Sequence, residues 1–415
     1  MKILFYNHTG QISGAERVLL AILSGGDRRR FIPAVLCPAN GPLMNRVGEL
    51  GVRTIAIDTL AARFTLRVDR LANYAASFVR LIRAARVAVI NEAPDIIHAN
   101  SIRAGLVMSV ATIRLDVPVV WHVHDLLPRH PLSTAIRLFA ATSRRNRIVA
   151  VSRAVANRFQ GQLTHRFRGR VETIYNAVDI ERFYPDPQSR KEIRRALGID
   201  AAKVIGIVGQ LTPRKGQLEL IEAFAETSRE FPDTVLLIVG EPIFNRDAEY
   251  AKSLADAAKA SGVADRVLFL GQREDTPAIM RALDLLVVNS STEPFGLTVI
   301  EAMASGVPVL ATAVDGIKEI VRHGETGWLV KARNHDSLVK GMLTLLRDQS
   351  LRDQLGGQGR REAIARFSIK RFVGEVEQLY DVAQIGNLRT EPQVKNLRYK
   401  SRPRANKTEL NSTAE

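Results

Sequence analysis

The stretch from Asn289 to Thr312, NSSTEPFGLTVIEAMASGVPVLAT, places two carboxylates, Glu293 and Glu301, around a predicted helix start. Pro294 favours the first position of that helix, because the N–H that proline lacks would have no intrahelical partner there. Glu293 is therefore expected in a loop and Glu301 inside the helix. Free N–H groups and the positive end of the helix dipole suit a phosphate. The stretch predicts a nucleotide-sugar site, in which both acids reach a polyhydroxylated ligand lying across the helix N-terminus.

A second candidate anion site precedes this stretch. A predicted strand, VIGIVG, leads into QLTPRKGQLELIEAFAE, so Arg214 and Lys215 lie in a loop directly before a helix. The helix dipole disfavours positive charge at its N-terminus and does not explain these cations. An anion shared between Lys215 and the helix N–H groups would explain them, and two exposed surface cations are the alternative.

The N-terminal half alternates apolar runs with helical segments in the same way. This alternation predicts an α/β fold with a doubly wound parallel sheet, whose ligands bind at the carboxyl ends of the strands. The predicted strands are Met1 to Asn7, Ile32 to Cys37, Arg53 to Ile57, Ile96 to Ala99, Val117 to Val123 and Ile148 to Val151.

Two polar segments follow strands of this half. In HTGQISGAERVLLAIL, Gly14 would let the backbone approach a ligand closely, and a purely structural turn is the alternative. In VVWHVHD, strand alternation puts His122 and His124 on one face near the strand end, followed by Asp125. A catalytic histidine and a buried, hydrogen-bonded one both agree with this pattern.

The positive charge is concentrated in the N-terminal half. The net charge is +16, and residues 1–183 carry 26 Lys and Arg against 12 Asp and Glu. Nucleic acid, an anionic membrane and an anionic substrate are all compatible partners. The segment from Arg63 to Ile90 is basic and amphipathic, which predicts either a helix on an anionic membrane surface or an ordinary solvated helix face.

The remaining features predict the cellular compartment and the domain boundaries. A single cysteine, Cys37, and the lack of a signal-peptide pattern or a long apolar run predict a protein of the reducing cytoplasm. The segment YPDP at 184–187 predicts a connection between a domain at 1–183 and a second at 184–368. Residues 384–415 hold few apolar side chains and are expected to form a disordered basic tail.

Taken in chain order, these segments resemble the retaining GT-B glycosyltransferases of group 1, the glycosyltransferase family 4-like proteins. The stretch EPFGLTVIEAMASGVPVLAT has the family's arrangement of two Glu residues separated by seven others. The resemblance covers about residues 1 to 383. Its supporting motifs are SGAER at Ser13 to Arg17, HD at His124 to Asp125, YNAVD at Tyr175 to Asp179, GQLTPRKG at Gly209 to Gly216 and RVLFLG at Arg266 to Gly271.

The resemblance implies two Rossmann-like domains facing across a cleft, with an acceptor-binding N-terminal domain, a donor-binding C-terminal domain and a last helix, at about 369–383, that returns to the first domain. Glu301 matches the acid that accepts hydrogen bonds from the ribose. Glu293 matches the acid near the transferred sugar. The backbone around Phe295, Gly296, Leu297 and Thr298 is expected close to the sugar and phosphate.

Three further residues match family positions. Lys215 matches the pyrophosphate-binding lysine, Gly14 the loop that closes over the donor phosphates, and His124 the acceptor-side histidine. Gln210 departs from the family, because many relatives carry Arg there. The resemblance leaves two ways to stabilise the diphosphate: Arg214 replaces that cation, or Lys215 and the helix N–H groups act without it.

The expected activity is retaining transfer of a hexose-type sugar from a UDP- or GDP-sugar to a glycan or lipid-linked acceptor, in the synthesis of a cell-surface polysaccharide or glycolipid. No Asp-x-Asp triplet is present, so neither a metal nor a cofactor is expected. A sugar-nucleotide epimerase of the same fold is the alternative. A basic nucleic-acid-binding protein is a weaker one, because no reading module or aromatic platform accompanies the charge.

Overall fold

A computed structural model describes residues 1–59, 68–200, 202–242 and 247–388. Its strands form two parallel sheets, one of seven strands and one of six. The first sheet contains β1 (Lys2–Tyr6), β2 (Ile32–Cys37), β3 (Arg53–Ala56), β4 (Ile96–Ala99), β5 (Val119–Val123), β6 (Arg147–Ala150) and β7 (Val171–Thr173). The second contains β8 (Lys203–Val208), β9 (Thr234–Val239), β10 (Val267–Gly271), β11 (Leu285–Val288), β12 (Val309–Thr312) and β13 (Trp328–Val330).

Helices connect the strands and cover both faces of each sheet. Before the second sheet the chain forms α1 (Gly14–Gly25), α2 (Leu43–Glu49), α3 (Val68–Glu92), α4 (Ile102–Ala111), α5 (Pro131–Thr142), α6 (Arg153–Gln160) and α7 (Pro187–Ala196). The remaining helices are α8 (Gln217–Thr227), α9 (Ala248–Ala260), α10 (Thr276–Ala282), α11 (Leu297–Ala304), α12 (Ile317–Ile320), α13 (His335–Arg347), α14 (Gln349–Phe367) and α15 (Ile369–Leu388). None of the helices in the described ranges is long and apolar enough to cross a bilayer.

The strand order identifies the ligand edge of each sheet. The orders are β3-β2-β1-β4-β5-β6-β7 and β10-β9-β8-β11-β12-β13, so the direction of winding reverses between β1 and β4 and between β8 and β11. Central strands such as β5 and β11 are buried along their whole length, as expected for sheets covered on both faces. Two doubly wound Rossmann-like sheets confirm the predicted fold class, and each reversal creates a crevice beyond the carboxyl ends of the strands.

The last helix packs against the first sheet. Phe372, Val376 and Tyr380 of α15 are buried in one apolar cluster with Ile3 and Phe5 of β1. The chain therefore returns to its N-terminal half after completing the second sheet. The first sheet ends at Thr173 and the second begins at Lys203, and the division at 183/184 stays a prediction between these limits.

Two predictions about local structure need correction. Pro294 does not begin α11, which starts at Leu297 after Gly296; Gly296 has a φ of +114°, a left-handed turn that a glycine adopts without a steric penalty. The long helix α14 contains glycines at 356, 357 and 359, and a Cβ at Gly356 would lie 2.3 Å from the Gly306 carbonyl oxygen.

The second correction concerns the tail predicted from residue 384, because α15 continues to Leu388. The rest of that prediction, from residue 389, falls outside the described residues. Residues 63–67 of the basic amphipathic segment also fall outside them, while α3 includes the segment from Val68 onward.

Candidate active site

The carboxyl edges of the two sheets meet at the start of α11. The Ser152 hydroxyl, which follows β6, donates to the Pro294 carbonyl oxygen at 2.6 Å. A Cβ placed on Gly14 at the start of α1 would lie 3.4 Å from the Leu297 side chain. The Arg17 guanidinium of α1 lies 3.7 Å from the Glu301 carboxylate. The glycine loop of the first sheet therefore faces the helix that carries Glu301.

Glu293 lies in the loop after β11 and forms a buried ion pair with Lys215. Its Oε2 is 2.5 Å from Lys215 Nζ, 3.1 Å from Ser290 Oγ and 3.7 Å from the Arg214 guanidinium. Burial alone would raise the pKa of Glu293, but the charge and hydrogen bond of Lys215, with help from Arg214 and Ser290, lower it below its ordinary value. Glu293 is thus an anion between two cations, Lys215 and Arg214.

Glu301 is the second acid, and its carboxylate is only partly paired. The residue is 6% exposed, and its Oε2 has no hydrogen-bond partner within the described part of the chain. Burial raises the pKa of Glu301, while the charges of Arg17 and Arg182 oppose the shift. An unpaired buried oxygen carries a desolvation cost, which a ligand hydroxyl would relieve by donating a hydrogen bond.

The start of α11 offers free backbone donors. Its N-cap is Gly296, which has no side chain to accept from the first turn, so the N–H groups of Leu297 and Thr298 have no intrahelical partner. The preceding residue, Phe295, is buried with its ring 6.1 Å from Tyr175 and 5.9 Å from Phe367, measured between centroids. This aromatic packing anchors the loop that ends at the free donors.

Gln210 and Arg214 differ in what they face. The Gln210 side-chain amide donates to Asp247 at 3.1 Å, whereas Arg214 donates to the Thr292 carbonyl oxygen at 2.9 Å beside the Glu293 carboxylate. The Arg214 guanidinium therefore lies beside the Lys215–Glu293 pair. From there it could replace the arginine that many relatives carry at the position of Gln210. The donor-binding roles of both residues stay predictions.

His122, within β5, and His124, directly after it, have different environments. His122 and His124 lie on one side with their ring centroids 4.2 Å apart, which confirms the alternation argument. His122 is fully buried and pairs with His98 at 3.1 Å, and the Tyr380 hydroxyl lies 2.7 Å from the other ring nitrogen of His98. His122 is therefore part of a buried polar chain that ends on α15.

His124 is partly exposed, and one neighbour sets its tautomer. Its Nε2 lies 2.9 Å from Asn100 Oδ1, while the Asn100 amide nitrogen donates to the Ala15 carbonyl oxygen. Because a carbonyl can only accept, the amide orientation is fixed and His124 must donate from Nε2. The lone pair of the neutral ring is then on Nδ1. Burial, with a smaller contribution from His8, lowers the pKa of His124 to about 3.

The N-terminal loop is held by a buried acid. Glu16 accepts from the Ser13 N–H at 2.9 Å, from the Ser13 hydroxyl at 2.5 Å and from the Asn7 amide at 3.1 Å. This capping box fixes the first turn of α1 and therefore the position of Gly14.

The sequence analysis missed three residues at this junction. Asp315 accepts from the Thr292 hydroxyl and the Glu293 N–H, and Glu319 accepts from backbone N–H groups at the start of α6, where Ser152 is the N-cap. The Asp315-Gly316 dipeptide is a turn signal, but it does not show what the turn contacts. These contacts join distant parts of the chain, so spacing along the sequence does not reveal them.

Two family models cover most of the chain. The Glycosyltransferase Family 4 model matches residues 12–182, and the Glycosyl transferases group 1 model matches residues 189–362. The D-inositol 3-phosphate glycosyltransferase of Salinispora arenicola is 31% identical over 314 residues, which are 70% of this chain and 69% of that protein. The chain belongs to the group 1 glycosyl transferases, as the two Glu residues and their supporting motifs indicated.

Two further proteins are similar over nearly the whole chain. The UDP-Gal:alpha-D-GlcNAc-diphosphoundecaprenol alpha-1,3-galactosyltransferase of Escherichia coli is 25% identical, covering 89% of this chain and 94% of its own. The crystal structure of Anabaena HepE in complex with UDP and glucose has a TM-score of 0.78 and 28% identity, covering 92% of this chain and 99% of that one. The chain spans about half the length of two other curated relatives that it matches.

Three histidines, one buried and two half-buried, predict a stability that falls on acidification. Burial lowers the pKa values of His98 and His124 to about 3 and that of His8 to about 4, against an ordinary value of 6.5. Below pH 6.5 the unfolded chain therefore binds protons that the folded chain does not. Stability is fully present above pH 6.5 and is lost towards pH 4, at up to about 1.4 kcal/mol per pH unit for each histidine.

Urea unfolding at pH 7, 6 and 5 measures this loss. The free energy of unfolding should fall less steeply with decreasing pH in His124→Gln than in the wild type. In His165→Gln, which removes an exposed histidine, the dependence on pH should be the same as in the wild type. Equal free energies of unfolding at pH 7 and pH 5 would contradict the assignment of neutral histidines in the folded protein.

Proposed function

We propose that this protein transfers a hexose-type sugar, with retention of configuration, from a UDP- or GDP-sugar to a glycan or lipid-linked acceptor. The observation that carries the proposal is the pairing of two acids at one helix start: Glu301 with a buried, unpaired oxygen, and Glu293 with Lys215. The UDP and glucose bound by HepE, and the lipid-linked acceptor in the name of the E. coli relative, support this choice of substrates.

The ribose of the donor is assigned to Glu301. A pair of adjacent hydroxyls can donate to a carboxylate, and Oε2 of Glu301 is already buried without a partner. Arg17 lies 3.7 Å from the other oxygen, so the acid keeps a counter-charge while it accepts from the ligand. Hydrogen bonds to a charged group are roughly twice as strong as neutral ones, which suits this contact to binding the donor.

The diphosphate is assigned to Lys215, Arg214 and the free N–H groups of Leu297 and Thr298. Negative charge grows on the leaving diphosphate as the sugar–phosphate bond breaks, and donors already aimed at it lower the barrier without reorganising. Lys215 contacts Glu293 at 2.5 Å, so the lysine would be shared between this acid and the phosphate. Arg214 then supplies the second cation where Gln210 cannot.

The transfer step needs a route for one proton. In the proposed reaction the acceptor approaches the anomeric carbon from the same face that the phosphate leaves. The bond between the anomeric carbon and the phosphate oxygen breaks while the bond to the acceptor oxygen forms. The acceptor proton moves to the leaving phosphate, so neither a metal nor a cofactor enters the proposal. His124 is assigned to the acceptor side, where neutral Nδ1 can accept a hydrogen bond from a sugar or acceptor hydroxyl.

Glu301→Gln should weaken donor binding without unfolding the protein. The amide keeps the volume but removes the charge, and the loss of a charged hydrogen bond corresponds to about 10-fold or more in affinity. Thermal stabilisation across a panel of UDP- and GDP-sugars measures the binding, because ligands that bind the native state raise its stability.

The matched control is Glu230→Gln, which breaks an exposed ion pair with Arg347. It should leave donor stabilisation unchanged. If no nucleotide sugar stabilises the wild-type protein, or if Glu301→Gln responds like the wild type, the ribose assignment is wrong.

Lys215→Ala should slow sugar transfer by about 100-fold, the scale of losing one charge-stabilising group at the leaving oxygen. Transfer to acceptor is followed at saturating donor, with Lys191→Ala, an exposed lysine of α7, as the control. Full activity of Lys215→Ala would contradict its role. Incubating the protein with donor but without acceptor distinguishes a glycosyltransferase from a sugar-nucleotide epimerase. The epimerase alternative predicts an epimerised nucleotide sugar and no transfer product.

An anionic membrane surface is the proposed meeting place with a lipid-linked acceptor, at the cytoplasmic face. The outer face of α3 exposes Val79, Val87 and Ile90 together with Arg80 and Arg83. These positions recur at helical spacing, so the helix has an exposed stripe of apolar and basic side chains in addition to its buried face. Such a stripe suits a helix lying in the headgroup region of an anionic bilayer.

Arg80→Glu/Arg83→Glu should reduce binding to anionic vesicles by about 10-fold or more at low salt, since each basic residue near such a surface contributes about 1 kcal/mol. Sedimentation with phosphatidylglycerol-containing and with neutral vesicles measures it. The control Arg229→Glu/Lys252→Glu reverses two exposed cations that follow β8 in the chain. Equal binding of wild-type protein to both vesicle types would contradict the proposal.

A further inference from the structure

The loop that carries Glu293 contacts a second neighbouring segment, residues 313–320, in addition to the loop that carries Lys215. The Glu293 N–H donates to Asp315 Oδ2 at 3.0 Å, and the Thr292 hydroxyl donates to the same oxygen at 2.5 Å. In return, the Gly316 N–H donates to the Glu293 carbonyl oxygen at 3.0 Å. The backbone of Glu293 is therefore fixed on both its N–H and its carbonyl by two consecutive residues of another loop.

Asp315 and Gly316 have conformations that fit this contact. Asp315 has a φ of +30°, a region that residues other than glycine seldom occupy and that aspartate tolerates better than most. A Cβ on Gly316 would lie 2.4 Å from the Pro294 carbonyl oxygen and 2.8 Å from Phe295 Cα. The two loops thus pack backbone against backbone. The left-handed conformation of Asp315 costs free energy, and it occurs at this junction.

The same segment is attached to the first sheet through Glu319. One oxygen of Glu319 accepts from the Ala154 N–H at 2.8 Å, and the other from the Arg153 N–H at 2.8 Å and the Tyr175 hydroxyl at 3.0 Å. Arg153 and Ala154 begin α6, where the helix dipole favours a negative charge. Glu319 therefore satisfies two free helix donors with a carboxylate that comes from the other half of the chain.

A second contact completes the connection. Ser152, the N-cap of α6, is fully buried, and its hydroxyl donates to the Pro294 carbonyl oxygen at 2.6 Å. Residues 152–154 of the first half thus contact both segment 313–320 and the Glu293 loop itself. A continuous series of hydrogen bonds therefore leads from the start of α6 to Glu319, from the Glu319 N–H to the Gly316 carbonyl oxygen at 3.0 Å, and from the Gly316 N–H to Glu293. Asp315, the residue before Gly316, adds its own contacts to Glu293 and Thr292.

We propose that Glu319 and Asp315 are positioning residues that transmit the placement of the first sheet to the Glu293 loop, so that the acid is set for catalysis only when the two sheets are docked as here. This inference rests on the proposed function for its catalytic consequence. It assigns no contact with substrate to either residue. Their effect on the reaction passes through the position of Glu293.

Amide hydrogen exchange tests the structural part without any donor. Glu319→Gln replaces one accepting oxygen by an NH2 group that faces a helix N–H, and Asp315→Asn keeps a side chain that tolerates the left-handed backbone. Both should speed exchange in peptides spanning 289–297, by about 10-fold, the factor for losing one hydrogen bond to a charged group. The control is Glu325→Gln, which breaks an exposed ion pair with Arg322 close to Glu319 in the chain. It should leave exchange in these peptides unchanged.

Kinetics test the catalytic part. In Glu319→Gln, kcat should fall at least about 10-fold, because small misplacements of a reacting group are costly, while the acceptor KM stays within about 2-fold. Tyr175→Phe removes one of three donors to Glu319 and should have a smaller effect. Unchanged exchange at 289–297, faster exchange throughout the protein with a lowered Tm, or an unchanged kcat would each overturn the proposal.

Failure of this inference is distinguishable from failure of the proposed function. If the wild-type protein transfers no sugar, the proposed function fails, and the exchange data still decide whether Glu319 and Asp315 order the Glu293 loop. If the wild type transfers sugar and Glu319→Gln does so equally well, the function stands and the positioning role is lost.

Discussion

The buried ion pair between Lys215 and Glu293 is the interaction on which the rest of the site depends. A carboxylate removed from water is costly unless a partner compensates it, and here Lys215, Arg214 and Ser290 keep the acid charged. That requirement fixes two loops relative to each other, one after β8 and one after β11. The helix start beside this pair, with its free N–H groups, is thereby placed where a phosphate can reach it.

The two acids of the site are prepared differently for their assigned roles. Glu293 has its pKa lowered and is already paired, whereas burial raises the pKa of Glu301 and leaves one of its oxygens without a partner. A paired acid suits electrostatic positioning near the reacting sugar. An unpaired buried acceptor suits the recognition of hydroxyl groups, because binding removes a desolvation cost that the free protein carries. The neutral His124, held by Asn100, has a ring nitrogen, Nδ1, that can accept a hydrogen bond without carrying a charge.

Much of the fold was predictable because it depends on local patterns. Apolar runs of four to seven residues between amphipathic segments predicted the strands, and parallel connectivity followed from their alternation. The errors occurred where packing outweighs local preference. Pro294 does not begin α11, since the chain needs the left-handed turn at Gly296 first.

The sequence by itself determined the class of fold, the family and the residue types of the candidate site, because motifs such as the two Glu residues of the 293–301 stretch, the RKG loop and the HVHD segment each lie at the end of a strand. Only the tertiary structure decided which of these groups meet and how each is charged. It turned Gln210 towards Asp247, placed Arg214 beside Glu293, and joined Asp315 and Glu319 to both halves of the chain. The physical reason is that hydrogen bonds, desolvation and ion pairing depend on distances across the fold, which sequence spacing does not contain.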